Sequence, residues 1–188
     1  MLIIGITGTI GAGKGTIVDF LQHKLGFLHF SVRSFLTKEI QKRGLLLNRD
    51  SMVLVANELR AKYAPWYIVE QLYQQALESR TNCIIESLRT PGEVEMLRQK
   101  GNFYLLAVDA DPEIRYKRIQ GRMNETDNIT YEVFLENEQR EMISEDPNKQ
   151  NISKCIQMAD FRLINNGNID ELYLQIEEIL KRIEDVGK

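Results

Sequence analysis

The 188-residue sequence predicts an α/β protein, three layers deep, in which helices cover both faces of a central parallel five-stranded sheet. Three observations carry that expectation. Short apolar runs recur at 2–7, 27–30, 82–85, 103–108 and 161–164, with helical patterning between them. Strands that alternate with helices form parallel sheets buried on both sides. The first run leads directly into a glycine-rich turn, Gly8 to Thr16, and from there into a helix beginning near Lys14. Near the end, Ile169, Leu172, Ile176, Ile179, Leu180 and Ile183 fall on one helical face, a stripe that needs a core to cover it.

Composition narrows the class further. With 43% hydrophobic residues, 1–188 can bury one good core and reads as one domain, without repeats or a Gly/Ser linker. A net charge of −3 gives no broad attraction for nucleic acid or an anionic membrane. The chain enters its first strand without a basic leader, and no apolar run approaches the ~20 residues that span a bilayer, so a cytoplasmic protein is expected. Cys83 and Cys155 have no metal-ligand spacing and read as packing residues, as do His23 and His29.

The turn after the first strand is a phosphate-binding loop. Its GxxxxGK spacing, Gly8 to Lys14, lies between a buried strand and a helix, where backbone N–H groups and the positive helix end converge on one point. Gly8 and Gly13 permit backbone angles closed to other residues, Gly11 allows close approach, and Ala12 and Gly15 continue the backbone cradle. Lys14 is suited to bridge the β- and γ-phosphates of ATP. The position after the lysine, commonly a Mg²⁺-binding hydroxyl, is Gly15; the hydroxyl comes one residue later at Thr16, facing the phosphates.

The stretch 44–79 reads as an inserted acceptor-binding module of two helices, 48–63 and 67–77, broken at Ala64-Pro65. Trp66 and Tyr67 stand at that break, placed either to pack or to stack on a base. The third strand ends in Glu86, a carboxylate beside the loop that, with Thr16, would organise Mg²⁺. Arg89 follows, with a planar fork suited to phosphate; a surface ion pair with Glu93 or Glu95 is its alternative. Asp111-Pro112 opens a helix over 113–120 with a capping carboxylate. Arg115, Arg118 and Arg122, spaced by three and four, run along one face of it toward the polar segment 123–129, the tip of a lid region at 122–145 that also contains Arg140. Asn168 and Glu171 form a capping arrangement for the last helix.

With these motifs in hand, the GAGKGT loop, the strand-end acid followed by arginine, Lys117 to Arg122 ahead of a lid, and Ala159 to Gly167 together resemble the P-loop nucleoside monophosphate kinases. The chain is similar also to the dephospho-CoA kinases and to predicted nucleotide kinases related to both. The resemblance implies that Arg118 and Arg122 are lid-side arginines, that Asn165 and Gly167 carry backbone past the adenine, and that Arg89 grips the acceptor phosphate. One position departs from the pattern: the arginine that adenylate kinases carry after the second strand is Thr37 here. Arg33 and Arg60 are the substitutes within reach. Dephospho-CoA kinases place an aspartate after this strand, whereas Ser31 to Ser34 contains no acid, which favours an acceptor that is already anionic.

The expectation is therefore an ATP- and Mg²⁺-dependent phosphotransferase, a monomer or homodimer, acting on a small nucleotide acceptor. Lys14, Glu86, Arg118 and Arg122 would be its catalytic residues, and Arg33, Arg60 and Arg89 would bind the acceptor. A hydroxyl kinase of the dephospho-CoA type and a nucleotide-binding regulatory NTPase are the alternatives.

Overall fold

The computed structural model describes residues 1–121 and 129–186. The elements run β1 (Ile3–Gly8), α1 (Lys14–Leu25), β2 (Leu28–Ser31), α2 (Val32–Lys42), α3 (Arg49–Lys62), α4 (Tyr67–Ser79), β3 (Cys83–Glu86), α5 (Pro91–Arg98), β4 (Phe103–Asp109), α6 (Pro112–Gln120), α7 (Tyr131–Met142), α8 (Ile152–Gln157), β5 (Phe161–Ile164) and α9 (Ile169–Val186). Every expected strand is present with its ends within one residue of the apolar run that predicted it.

All strand pairs are parallel, in the order β2-β3-β1-β4-β5. β1 is central, pairing Ile3 to Ile6 with Cys83 to Glu86 on one side and Ile3 to Gly8 with Phe103 to Val108 on the other. The connection from β1 runs to one side, to β2, and that from its neighbour β3 runs the other way, to β4; ligands of such sheets bind outside the carboxyl ends of the strands at that switch point. The loop at the end of β1 and Glu86 at the end of β3 both lie there.

Side-chain alternation divides the core into two layers, because successive strand residues face opposite sides of a sheet. Ile4, Ile6, Ile84, Leu106 and Val108 pack against Ile17 and Leu21 of α1 and Leu172, Ile176 and Ile179 of α9. Ile3, Cys83, Ile85, Phe103 and Leu105 face the other way, onto Leu36, Val55, Leu59, Ile68 and Val94 from α2 to α5. This is the three-layer α/β/α architecture, and both cysteines are buried in it; burial pushes the Cys83 thiol up to about 11. Among the described residues, no helix is long and apolar enough to cross a membrane.

Local signals set the helix ends. Asn168 caps α9 as expected, accepting from the Glu171 N–H at 3.0 Å, and its side-chain amide donates to the Glu171 carboxylate at 2.8 Å. Thr90 and Glu93 make a full capping box at the start of α5, which also begins with Pro91. Asp111 departs from expectation: its side chain makes no capping bond to α6. Its backbone N–H instead donates to the Asn166 side chain at 2.8 Å.

Candidate active site

The phosphate loop keeps its shape through backbone, and the glycines are its enabling residues. Gly13, the cap of α1, has φ +105°, and a Cβ there would collide with the Asn165 side-chain amide. Gly11 has φ +78°, and its missing side chain makes room for the Arg115 backbone carbonyl, which an added Cβ would meet at 2.6 Å. Close approach at Gly11 is therefore to α6 behind the loop, a role the sequence did not reveal. Gly15 has open space around its Cβ position. Lys14 folds back over the loop, donating to the Gly8 carbonyl at 2.9 Å and the Thr9 carbonyl at 2.8 Å.

Two side chains from outside the motif brace the loop. Asn165, at the end of β5, donates to the Ala12 carbonyl at 2.8 Å and accepts, through its own carbonyl, from Arg118 at 2.8 Å. Arg115, only 2% exposed, donates to the Ile10 carbonyl at 3.2 Å and to Ala110 at 2.6 Å, and is bonded to the Glu138 carboxylate of α7. Arg115 is thus a buried bracket between loop and α7 rather than a lid arginine. Thr9 donates to Asp109 at 2.5 Å, joining the ends of β1 and β4.

Beside the loop, Glu86 accepts from the Ser87 hydroxyl at 2.6 Å, and His29 Nε2 stands 3.7 Å from its other oxygen. Burial alone would raise the pKa of Glu86. His29, Lys14 and Ser87 together outweigh that and hold it at about 2, so the carboxylate is a fixed anion at the strand end. Ser87 has φ +74°, an uncommon conformation for a side-chain-bearing residue and one that clusters at functional sites. Its strain is offset by the N–H groups of Ser87 and Leu88, which both reach the Ile6 carbonyl, at 3.0 and 3.1 Å.

From the loop a cavity of about 490 Å³ runs between α2 and α3. Lys14, Gly15, Thr16 and Glu86 line one part of it, and Arg33, Arg49, Arg60 and Arg89 another; Val32, Leu36, Met52, Val53 and Ala56 form its apolar walls. Within the stretch 44–79, α3 supplies one wall of the cavity. Trp66 and Tyr67 do not line the cavity; Tyr67 stacks on Tyr63, with ring centroids 4.3 Å apart.

The sequence-selected residues divide accordingly. Gly11, Gly13, Lys14, Gly15, Thr16, Arg33, Arg60, Glu86 and Arg89 all border this cavity. Arg60, however, is 1% exposed and holds Glu93 through Nε at 3.2 Å and Nη2 at 2.9 Å, while its Nη1 is buried without a hydrogen-bond partner. Arg89 pairs with neither Glu93 nor Glu95 through its side chain; its guanidinium bonds Glu141 at 2.5 Å and Gln150 at 2.6 Å. Asn165, Gly167 and Arg118 lie outside the cavity lining, and Arg140 pairs with Asp50 at 3.2 Å. Arg122, with most of the 123–129 segment, lies outside the described residues.

Arg49, Glu141 and Gln150 are cavity residues that the sequence reading passed over. A signal for Glu141 existed. It follows Phe134 by seven and Glu138 by three, so a carboxylate interrupts the buried face of α7.

Comparisons with known proteins bear on the family and the fold. The AAA domain family, AAA_18, matches residues 4–144, from β1 through the loop and cavity to the end of α7. The chain belongs to this family. A UPF0200 protein of Methanothermobacter thermautotrophicus is 28% identical over 190 residues, covering 100% of this chain and 94% of that protein. Another, from Methanococcus maripaludis, is 29% identical and covers 100% of both. Among solved structures, a gluconokinase from Sinorhizobium meliloti aligns with a TM-score of 0.60 at 12% identity, over 98% of this chain and 95% of that one. A dephospho-CoA kinase from Campylobacter jejuni aligns at 0.56 and 16% identity, over 99% and 98%. At such identities the shared property is the fold.

Proposed function

We propose that the protein is an ATP-dependent phosphotransferase whose acceptor is a nucleoside or deoxynucleoside monophosphate. The observation that carries this reading is the continuity of one cavity from the phosphate loop to Arg33, Arg49 and Arg89. A donor and an anionic acceptor would meet inside it.

The residues fit a bound nucleotide. The loop offers backbone N–H groups at the start of α1, glycines at the positions that a side chain would block, and Lys14, which would exchange two neutral loop carbonyls for phosphate oxygens. Glu86, held ionised, and Thr16 would each give a Mg²⁺ one ligand, since among the described residues no three acidic, His or Cys side chains stand close enough to cage a metal. When bound, ATP with Mg²⁺ supplies the phosphoryl group and the charge that screens it.

Arg33 and Arg89 would orient the acceptor, and the apolar walls from α2 and α3 would exclude water, the main competing acceptor. Arg118 and Arg122 would neutralise the group in flight, Arg118 leaving the Asn165 carbonyl to do so. The low pKa of Glu86 bears on the acceptor. A carboxylate at about 2 is a weak base for a hydroxyl proton, whereas a phosphate acceptor needs no base.

The test is ATP consumption with Mg²⁺ across all ribo- and deoxyribonucleoside monophosphates and dephospho-CoA, with products identified by mass. A diphosphate from one or a few monophosphates is expected. Formation of CoA would overturn the anionic-acceptor reading, and silence with nucleotide binding retained would support a regulatory NTPase.

A further inference from the structure

Glu141 is a carboxylate in an unexpected place. It is 4% exposed, sits in the last turn of α7, and enters the wall of the cavity that Arg33, Arg49 and Arg89 make cationic. Its two oxygens are divided: one accepts from Arg49 Nη2 at 2.6 Å, the other from Arg89 Nη1 at 2.5 Å. The two guanidinium groups come from the first turn of α3 and from the segment after β3, so the sheet and two helices must all be in place for them to converge.

Stability alone is a poor reason for this cluster. A buried ion triad gains little over apolar side chains of the same volume, because desolvating the charges consumes most of their attraction. The triad is also incompletely used. Arg49 Nε is buried without a hydrogen-bond partner, so its fork is half engaged. One carboxylate shared between two arginines cannot complete both forks. A tetrahedral phosphate, with three terminal oxygens, can accept from Nε and Nη2 of Arg49 together and still reach Arg89.

Charge decides what happens to Glu141 when such a group arrives. Two guanidiniums and one carboxylate leave the cluster at +1. A phosphomonoester dianion added beside Glu141 would take it to −1 in a water-poor pocket, whereas one that replaces Glu141 takes it to zero. We propose that Arg49 and Arg89 are the seat of the acceptor's phosphate and that Glu141 is its built-in occupant, displaced by a dianionic phosphomonoester. The proposal rests on the monophosphate reading above for the identity of the anion. It has two consequences. A singly charged carboxylate acceptor gains nothing over Glu141, so the seat selects phosphomonoesters. Acceptor entry also frees the C-terminal turn of α7; among the described residues the other ion pairs of that helix are Glu138 to Arg115 and Arg140 to Asp50.

Calorimetric titration with inorganic phosphate, and separately with a panel of nucleoside monophosphates, tests this on wild type, Glu141→Gln, Arg49→Gln and the double variant. Glu141→Gln should tighten phosphate binding by about tenfold, the effect of removing one like charge from beside a partly buried anion. Arg49→Gln should weaken it, and in the double variant the tightening should vanish, which separates this seat from the phosphate loop. Weaker anion binding in Glu141→Gln, or tightening that persists without Arg49, overturns the proposal. Should Glu141→Gln fail to fold, hydrogen exchange on wild type decides: saturating phosphate should accelerate exchange around residues 139–142, and slowed or unchanged exchange there counts against displacement. The readout is binding, so absence of phosphoryl transfer would remove the kinase reading and leave the seat standing, and transfer with weakened anion binding in Glu141→Gln would do the reverse.

Discussion

The two ends of the cavity are built by different means. At the end proposed for the donor, nine consecutive residues, from Gly8 at the end of β1 to Thr16 in the first turn of α1, make the loop, and the groups that a phosphate would meet are mainly backbone. At the end proposed for the acceptor, Arg33, Arg49, Arg89, Glu141 and Gln150 arrive from distant stretches of the chain, and the groups that line it are side chains. A site made of contiguous backbone is tied to its spacing, because a shift of one residue moves every N–H. A site made of side chains is tied only to the fold, and arginines at several alternative positions could reach the same point.

The largest effect belongs to the donor end. Lys14→Ala should lower turnover by at least about 10²- to 10³-fold, the size of loss seen when one charge-stabilising group is removed from a reaction centre. Its melting temperature should fall little by comparison, since the two bonds from the lysine to the Gly8 and Thr9 carbonyls are each worth about 1 kcal/mol. Turnover near wild type would break the comparison at its root.

At the boundary between the ends, Arg60→Met should leave Glu93 buried without its cation and cost about 3–5 kcal/mol in urea denaturation, with ATP affinity retained. A stable variant with lost acceptor affinity would return Arg60 to the acceptor-binding set.

Glu86 sharpens the comparison through pH. Its folded value of about 2 lies below the ordinary carboxylate value of 4.5, so its ionised form stabilises the fold above that ordinary value, and the contribution fades as pH falls toward 2. The stability difference between wild type and Glu86→Gln should therefore be on the order of 2–3 kcal/mol near pH 6 and close to nothing near pH 2. A difference that is flat with pH would mean that the glutamate is not held as an anion by Lys14 and His29.

The smallest effect is expected at Arg33→Ala, which should raise the apparent acceptor KM about tenfold, the lower range for one charged hydrogen bond, with the ATP KM unchanged. Movement of the ATP dependence alone would assign Arg33 to the donor end.

Legibility followed the same division. The loop was readable to the residue, because glycine spacing is a direct record of backbone geometry. Arg33, Arg60 and Arg89 were readable as cations near the site, but their partners were not. Whether Arg60 turns to Glu93 or to a ligand depends on a capping box thirty-three residues away in sequence, and nothing local to Arg60 records it. Arg115 was read with Arg118 and Arg122 as part of an arginine face leading to a lid, and only the packing of α7 over α6 turns it into a buried bracket for the loop.

Taken alone, the sequence determined the α/β class, all five strands, the phosphate loop and the acid at the end of β3, because each is written in a periodicity or a spacing within a few residues. The tertiary structure decided the strand order, the pairing of Arg60 with Glu93, and the convergence of Arg49, Arg89 and Glu141. Those outcomes depend on which long side chains meet across the sheet ends once the core has closed, and a flexible cation carries no record of its partner until burial leaves it only one.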